Sequence, residues 1–79
     1  MKFNLIETVV LTKDIDEHNL NKGDLGTVVE IYGDHDCEVE FVTVRRILVT
    51  GGRTVALLPL NEKDIRPVEP KDMVSVRKW

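Results

Sequence analysis

The chain has a single cysteine, Cys37, among 79 residues. One thiol excludes an internal disulfide framework and a four-cysteine zinc site. No stretch approaches the roughly 18 consecutive apolar residues of a membrane-spanning helix. Met1–Thr8 has no basic region followed by an apolar stretch, so no secretory signal is expected and a cytoplasmic location is. Aromatic residues are scarce: Phe3, Tyr32, Phe41 and Trp79. Serine occurs once, at Ser75, with no motif around it. Repeats, low-complexity stretches and long linkers are also missing, which leaves one small domain with little room for an active-site cleft. Valine, isoleucine and leucine nevertheless recur throughout, and disorder is not expected.

What is present is charge, unevenly placed. The net charge is −3. Residues 14–40 hold nine carboxylates (Asp14, Asp16, Glu17, Asp24, Glu30, Asp34, Asp36, Glu38, Glu40) against one base, Lys22, a net −8. Residues 41–79 hold eight bases against four acids, a net +4. Such polarity orients a charged partner over a screening length of about 8 Å in cells.

Along the chain, Phe3–Leu11 reads as a strand around the run Val9, Val10, Leu11. The polar stretch Thr12–Lys22 reads as a loop with Ile15 and Leu20 tucked beneath it. Gly23–Gly26 has the composition of a turn. Thr27–Tyr32 is β-branched almost throughout and reads as the next strand. After a turn at Gly33–Asp36, Cys37, Val39 and Phe41 alternate with Glu38 and Glu40, the period of a strand with one buried and one wet face. Glu30, Glu38 and Glu40, flanked by Asp34 and Asp36, are therefore expected to form one acidic face. Val42 and Val44 then fall on the glutamate parity, which predicts a bulge, a bend or a new strand there. Ile47–Thr50, Gly51, Gly52 and Arg53–Leu58 predict a second, protruding hairpin with a two-residue turn. Pro59 ends pairing or marks an edge. Asn61–Asp64 reads as a helical turn capped by Asn61, and Ile65–Val68 as a closing strand. In the tail, residues 69–79, Met73, Val74 and Val76 suit an edge strand. The expected architecture is all-β, a small partly open barrel of about five short antiparallel strands spanning residues 1–68.

The segments Thr8–Ile15 (TVVLTKDI), Leu20–Tyr32 (LNKGDLGTVVEIY), Glu38–Phe41 (EVEF), Thr54–Leu60 (TVALLPL) and Asp64–Val68 (DIRPV) together resemble a bacterial family of small uncharacterised domains. That family is SH3-like in outline, similar to KOW-type ribosomal domains, the photosystem I E subunit and the C-terminal domain of the nitrile hydratase β-subunit. The chain departs from its compact pattern at Val42–Thr50, which looks like extra length. The resemblance brings no catalytic residues. It implies an antitoxin or immunity-type role beside a toxin-like neighbour.

Candidate chemistry is sparse. Asp34, His35, Asp36 and Cys37 are the nearest thing to a metal-ligand run, but neighbouring strand residues point to opposite faces, and Cys37 shares the parity of Val39 and Phe41. The stretch from Asp14 echoes the start of a calcium loop and then fails, with Asn19 at its sixth position and Leu25 at its twelfth. Gly23 and Gly26 are too close together for a phosphate loop. Neither a nucleophile–base pair nor a cofactor motif is present, so no enzyme, metal or cofactor is expected. The reading that remains is a non-catalytic protein-interaction module whose face of Glu30, Asp34, Asp36, Glu38 and Glu40 meets a basic protein. The alternatives are a KOW-like nucleic-acid binder using Arg45, Arg46 and Arg53, which the acidic total disfavours, and a self-associating structural subunit with exposed edges. Trp79 is either exposed or a contact for a partner.

Overall fold

The computed structural model describes residues 1–45 and 52–74. Five strands form one antiparallel sheet: β1 (Thr8–Leu11), β2 (Leu25–Tyr32), β3 (Asp36–Arg45), β4 (Gly52–Asn61) and β5 (Ile65–Pro67), in the order β4-β3-β2-β1-β5. The all-β expectation holds, and the curled open sheet is consistent with a partly open small barrel. Three short helical turns complete the described chain: Asp16–His18, Glu62–Asp64 and α1 (Pro70–Val74).

The core follows the period of two. Val9 and Leu11 of β1, Val28 of β2, Cys37, Val39 and Phe41 of β3, Leu58 and Leu60 of β4 and Ile65 of β5 share one buried cluster. Phe3 and Leu20 close it from the loops, and Ile15 packs against it. The Thr12–Lys22 loop is therefore held from below, as the sequence suggests. A bridge between Ile15 and Leu20 narrows its neck, and Asn19 at φ 56 occupies the left-handed region that asparagine tolerates. Asn61 caps the Glu62–Asp64 turn through a reciprocal box: its side chain accepts from Lys63 N at 2.9 Å, and its own N–H donates to Asp64 at 3.1 Å.

Several expectations are corrected. The N-terminal strand starts at Thr8 rather than Phe3, because the chain turns at Ile6, whose φ is 68. Gly26 lies within β2 and not in a turn. β3 runs unbroken through Val42 to Arg45, while the irregularity sits in β2, between Val28 and Glu30. Arg53 pairs with Val44, and Gly52 with Arg45, so β4 returns along β3. That register seats Leu58 opposite Val39 and Leu60 opposite Cys37, and burial of these four side chains decides between the alternatives. Gly51 and residues 46–50 lie outside the described residues, and with them the tip of the expected hairpin. β2 pairs with β3 only as far as Phe41, so Val42–Arg45 and Gly52–Val55 form a two-stranded ribbon beyond the body of the sheet. Finally, Met73 and Val74 belong to α1 and not to an edge strand. Arg66 of β5 holds that turn with a two-pronged ion pair to Asp72, both prongs at 2.9 Å.

Candidate interaction surface

The strand register sorts the acidic residues. Glu30 opposes Glu38, Tyr32 opposes Asp36, and Thr27 opposes Glu40. Paired residues share a face, so Glu30, Asp36, Glu38 and Glu40 all lie on the outer side of the sheet. Simple alternation along β2 would have put Glu30 with buried Val28. Val29 is the extra residue of a bulge, and it shifts the parity so that Glu30 turns outward while Ile31 packs toward the core. Asp34 sits in the exposed β2–β3 turn, next to Gly33 at φ 66.

Two of these carboxylates have hydrogen-bond partners. The Tyr32 hydroxyl donates to Glu38, which holds the phenol above its ordinary pKa because ionising it would place a second negative charge beside the carboxylate. Asn61 Nδ2 donates to Asp36 at 3.2 Å. Among the described residues no cation stands within ion-pair distance of Glu30, Glu38 or Glu40. The nearby ion pair of the β2–β3 turn is turned elsewhere. His35 Nδ1 meets Glu62 at 2.9 Å, and the Lys2 backbone N–H donates to the same carboxylate. Those two bonds lower the Glu62 pKa.

The outer face is less polar than its glutamates suggest. Glu40 is bordered by Thr27 on β2 and Leu57 on β4, and Val42 opposes Val55. Leu25, Val42, Val55 and Leu57 are 41%, 45%, 49% and 55% exposed. Beside Glu40 lies a shallow depression of about 130 Å³ lined by Thr8, Leu25, Thr27 and Val42. The face is thus a mixed surface in which aliphatic side chains surround carboxylates. Sequence reasoning missed the aliphatic half. Its signal was present in Val42, which shares the parity of Glu38 and Glu40.

A larger groove, of about 500 Å³, opens at the seam of the sheet between residues 13–18 and Leu58–Leu60. Arg45 and Arg53 lie at adjacent rungs of the β3–β4 ribbon, and Arg46 lies outside the described residues. Cys37 is fully buried, and burial, followed by the surrounding carboxylates, raises its thiol pKa. That is the environment of a core thiol and not of a reactive one. Among the described residues no cluster of three or more His, Cys, Asp or Glu side chains is arranged around a common metal position. No described helix is long and apolar enough to cross a membrane.

Residues 5–67 match the family described as Domain of unknown function (DUF4926). The chain belongs to that family. The expected membership of a family of small uncharacterised domains is thereby met, and the matched span runs from the turn before β1 to the end of β5. The match covers all five DUF4926 strands and leaves α1 outside. No curated protein and no solved structure matches the chain.

Proposed function

We propose that this DUF4926 domain is a non-catalytic protein-interaction module that uses the outer face of β2, β3 and β4. The observation that carries the reading is Glu30 directly opposite Glu38 with no described cation beside either. Like charges at a directly opposed position weaken an isolated sheet, and a lysine- or arginine-bearing partner relieves that cost. Exposed Leu25, Val42, Val55 and Leu57 give such a partner an apolar area to cover. In its most concrete form the module is a stoichiometric inhibitor of the antitoxin or immunity type, with an SH3-like outline, acting in the cytoplasm on a basic toxin-like protein.

The test is co-expression with the product of the adjacent gene. A complex that co-elutes in size exclusion, weakens with salt and is lost on Glu30→Gln, Glu38→Gln and Glu40→Gln together supports the reading. Unchanged affinity and salt dependence in that triple variant overturn it.

A further inference from the structure

We propose that the seam groove beside β4 is a second docking site, which takes an extended partner segment of alternating aliphatic and basic residues as an additional strand. This site lies apart from the outer-face carboxylates and does not depend on them.

The argument starts from β4, which ends the sheet and, among the described residues, pairs only with β3. The direction of its backbone groups follows from the ladder. Ile6 N donates to Val28 O and Val28 N donates to Glu7 O, so Val28 directs its polar groups toward β1. Directions alternate along an antiparallel strand. Thr27 therefore faces β3, and its partner Glu40 faces β2. Leu57, opposite Glu40, directs its N–H and C=O away from β3, as do Val55 and Pro59. Pro59 independently agrees, since a proline with no N–H fits only where none is needed for the ladder. The outer edge of β4 thus offers the N–H and C=O of Val55 and Leu57 and the C=O of Pro59, the row of groups through which extended peptides add to a sheet.

The groove starts where this row ends. Leu58 and Leu60, each with 8% of its surface still open, and Ile15 supply its apolar lining. Asp14, Asp16, Glu17, His18 and Lys13 form the opposite wall. Lys13 Nζ is committed to Asp64 at 3.3 Å, and one oxygen of Asp14 accepts from Lys22 N at 2.9 Å. The wall is therefore acidic on balance. A strand lying between this wall and β4 presents aliphatic residues to Leu58, Leu60 and Ile15, and lysines or arginines to Asp14, Asp16 and Glu17. Charge complementarity with this acidic wall selects a lysine- or arginine-bearing partner segment as the occupant.

The experiment is a titration of the full chain with the peptide acetyl-VKVKVK-amide, followed by backbone amide shifts in NMR. Saturable shifts at Val55–Leu60 and Lys13–His18 are expected. Replacing Asp14 and Asp16 by Asn and Glu17 by Gln weakens binding about tenfold and flattens its salt dependence. Leu57→Pro removes an outward N–H from the edge, and Leu57→Ala, which keeps that N–H, is the control: the first abolishes peptide binding and the second retains it. Should Leu57→Pro fail to fold, the same peptide N-methylated at alternate residues makes the test on the native chain, and it too fails to bind. Equal binding of the N-methylated peptide overturns the proposal, as do shifts confined to the Glu30, Glu38 and Glu40 face or no shift at millimolar peptide. Sedimentation showing a dimer paired through β4, or groove shifts on removing residues 75–79, also overturns it. The triple Gln variant at Glu30, Glu38 and Glu40 keeps its peptide affinity if the seam is the site, so the two proposals fail separately.

Discussion

Glu30 stands directly opposite Glu38 across the β2–β3 pair, and the bulge at Val29 is what turns it there. Two carboxylates at one rung repel, with a cost of a few tenths to about 1 kcal/mol. Glu30→Gln is expected to raise the free energy of unfolding by that amount at neutral pH and low salt. The gain shrinks in high salt as screening removes the repulsion it relieves. Urea unfolding at two salt concentrations measures both effects.

The second member of that pair also fixes Tyr32. Its hydroxyl donates to Glu38 and its pKa lies above the ordinary value. Tyr32 is the sole tyrosine, so phenolate absorbance titrates it alone. The titration is expected to move to lower pH in Glu38→Gln. An unchanged midpoint contradicts the contact.

Gly26 is required by space. Its φ is not among the positive ones, but a Cβ added there falls 2.7 Å from Phe41 Cε1 and 2.7 Å from Val39 Cγ1. Both side chains are fully packed in the core, so neither yields easily. Gly26→Ala is expected to destabilise by about 1–3 kcal/mol, read as a lower urea midpoint with an unchanged slope. Gly23→Ala is the useful contrast: nothing lies within 4 Å of its Cβ position, but φ is +99, so any loss there is backbone strain alone.

Acid sensitivity has two named sources. Arg66, followed by the Glu69 backbone N–H, holds Asp72 well below the usual carboxylate range. His35, followed by the Lys2 backbone N–H, lowers Glu62. A carboxylate whose folded pKa is depressed stabilises the fold above its unfolded pKa and loses that contribution as pH falls through the folded value. Thermal midpoints of wild type and Asp72→Asn should therefore differ most near neutrality and converge as the pH falls below about 4. A constant difference across that range contradicts the assignment.

The fold was legible in the sequence wherever alternation was regular. Cys37, Val39 and Phe41 against Glu38 and Glu40 defined β3 and its buried face, and Asn61 announced its capped turn. Legibility failed where a pairing decision depended on residues far apart in sequence. The partner of β4 is one such decision: the burial of Leu58 and Leu60 opposite Val39 and Cys37 sets its register along the whole of β3. Gly26 looked like turn chemistry because nothing local tells a glycine that bends the chain from one that makes room for a phenylalanine on the next strand. Of the candidate surface, the carboxylates were visible and their aliphatic border was not, because the face that Leu57 and Leu25 take is set by pairing with residues far apart in sequence.

Pro59 has a consequence beyond the ladder. An unprotected edge strand is a template on which copies of a chain stack without limit into fibrils. By interrupting the row of donors after Leu57, the proline leaves β4 enough hydrogen-bonding capacity for a short guest but too little for a sheet that propagates. A chain with Pro59 replaced by Val is therefore the one in which edge recognition and aggregation become the same reaction.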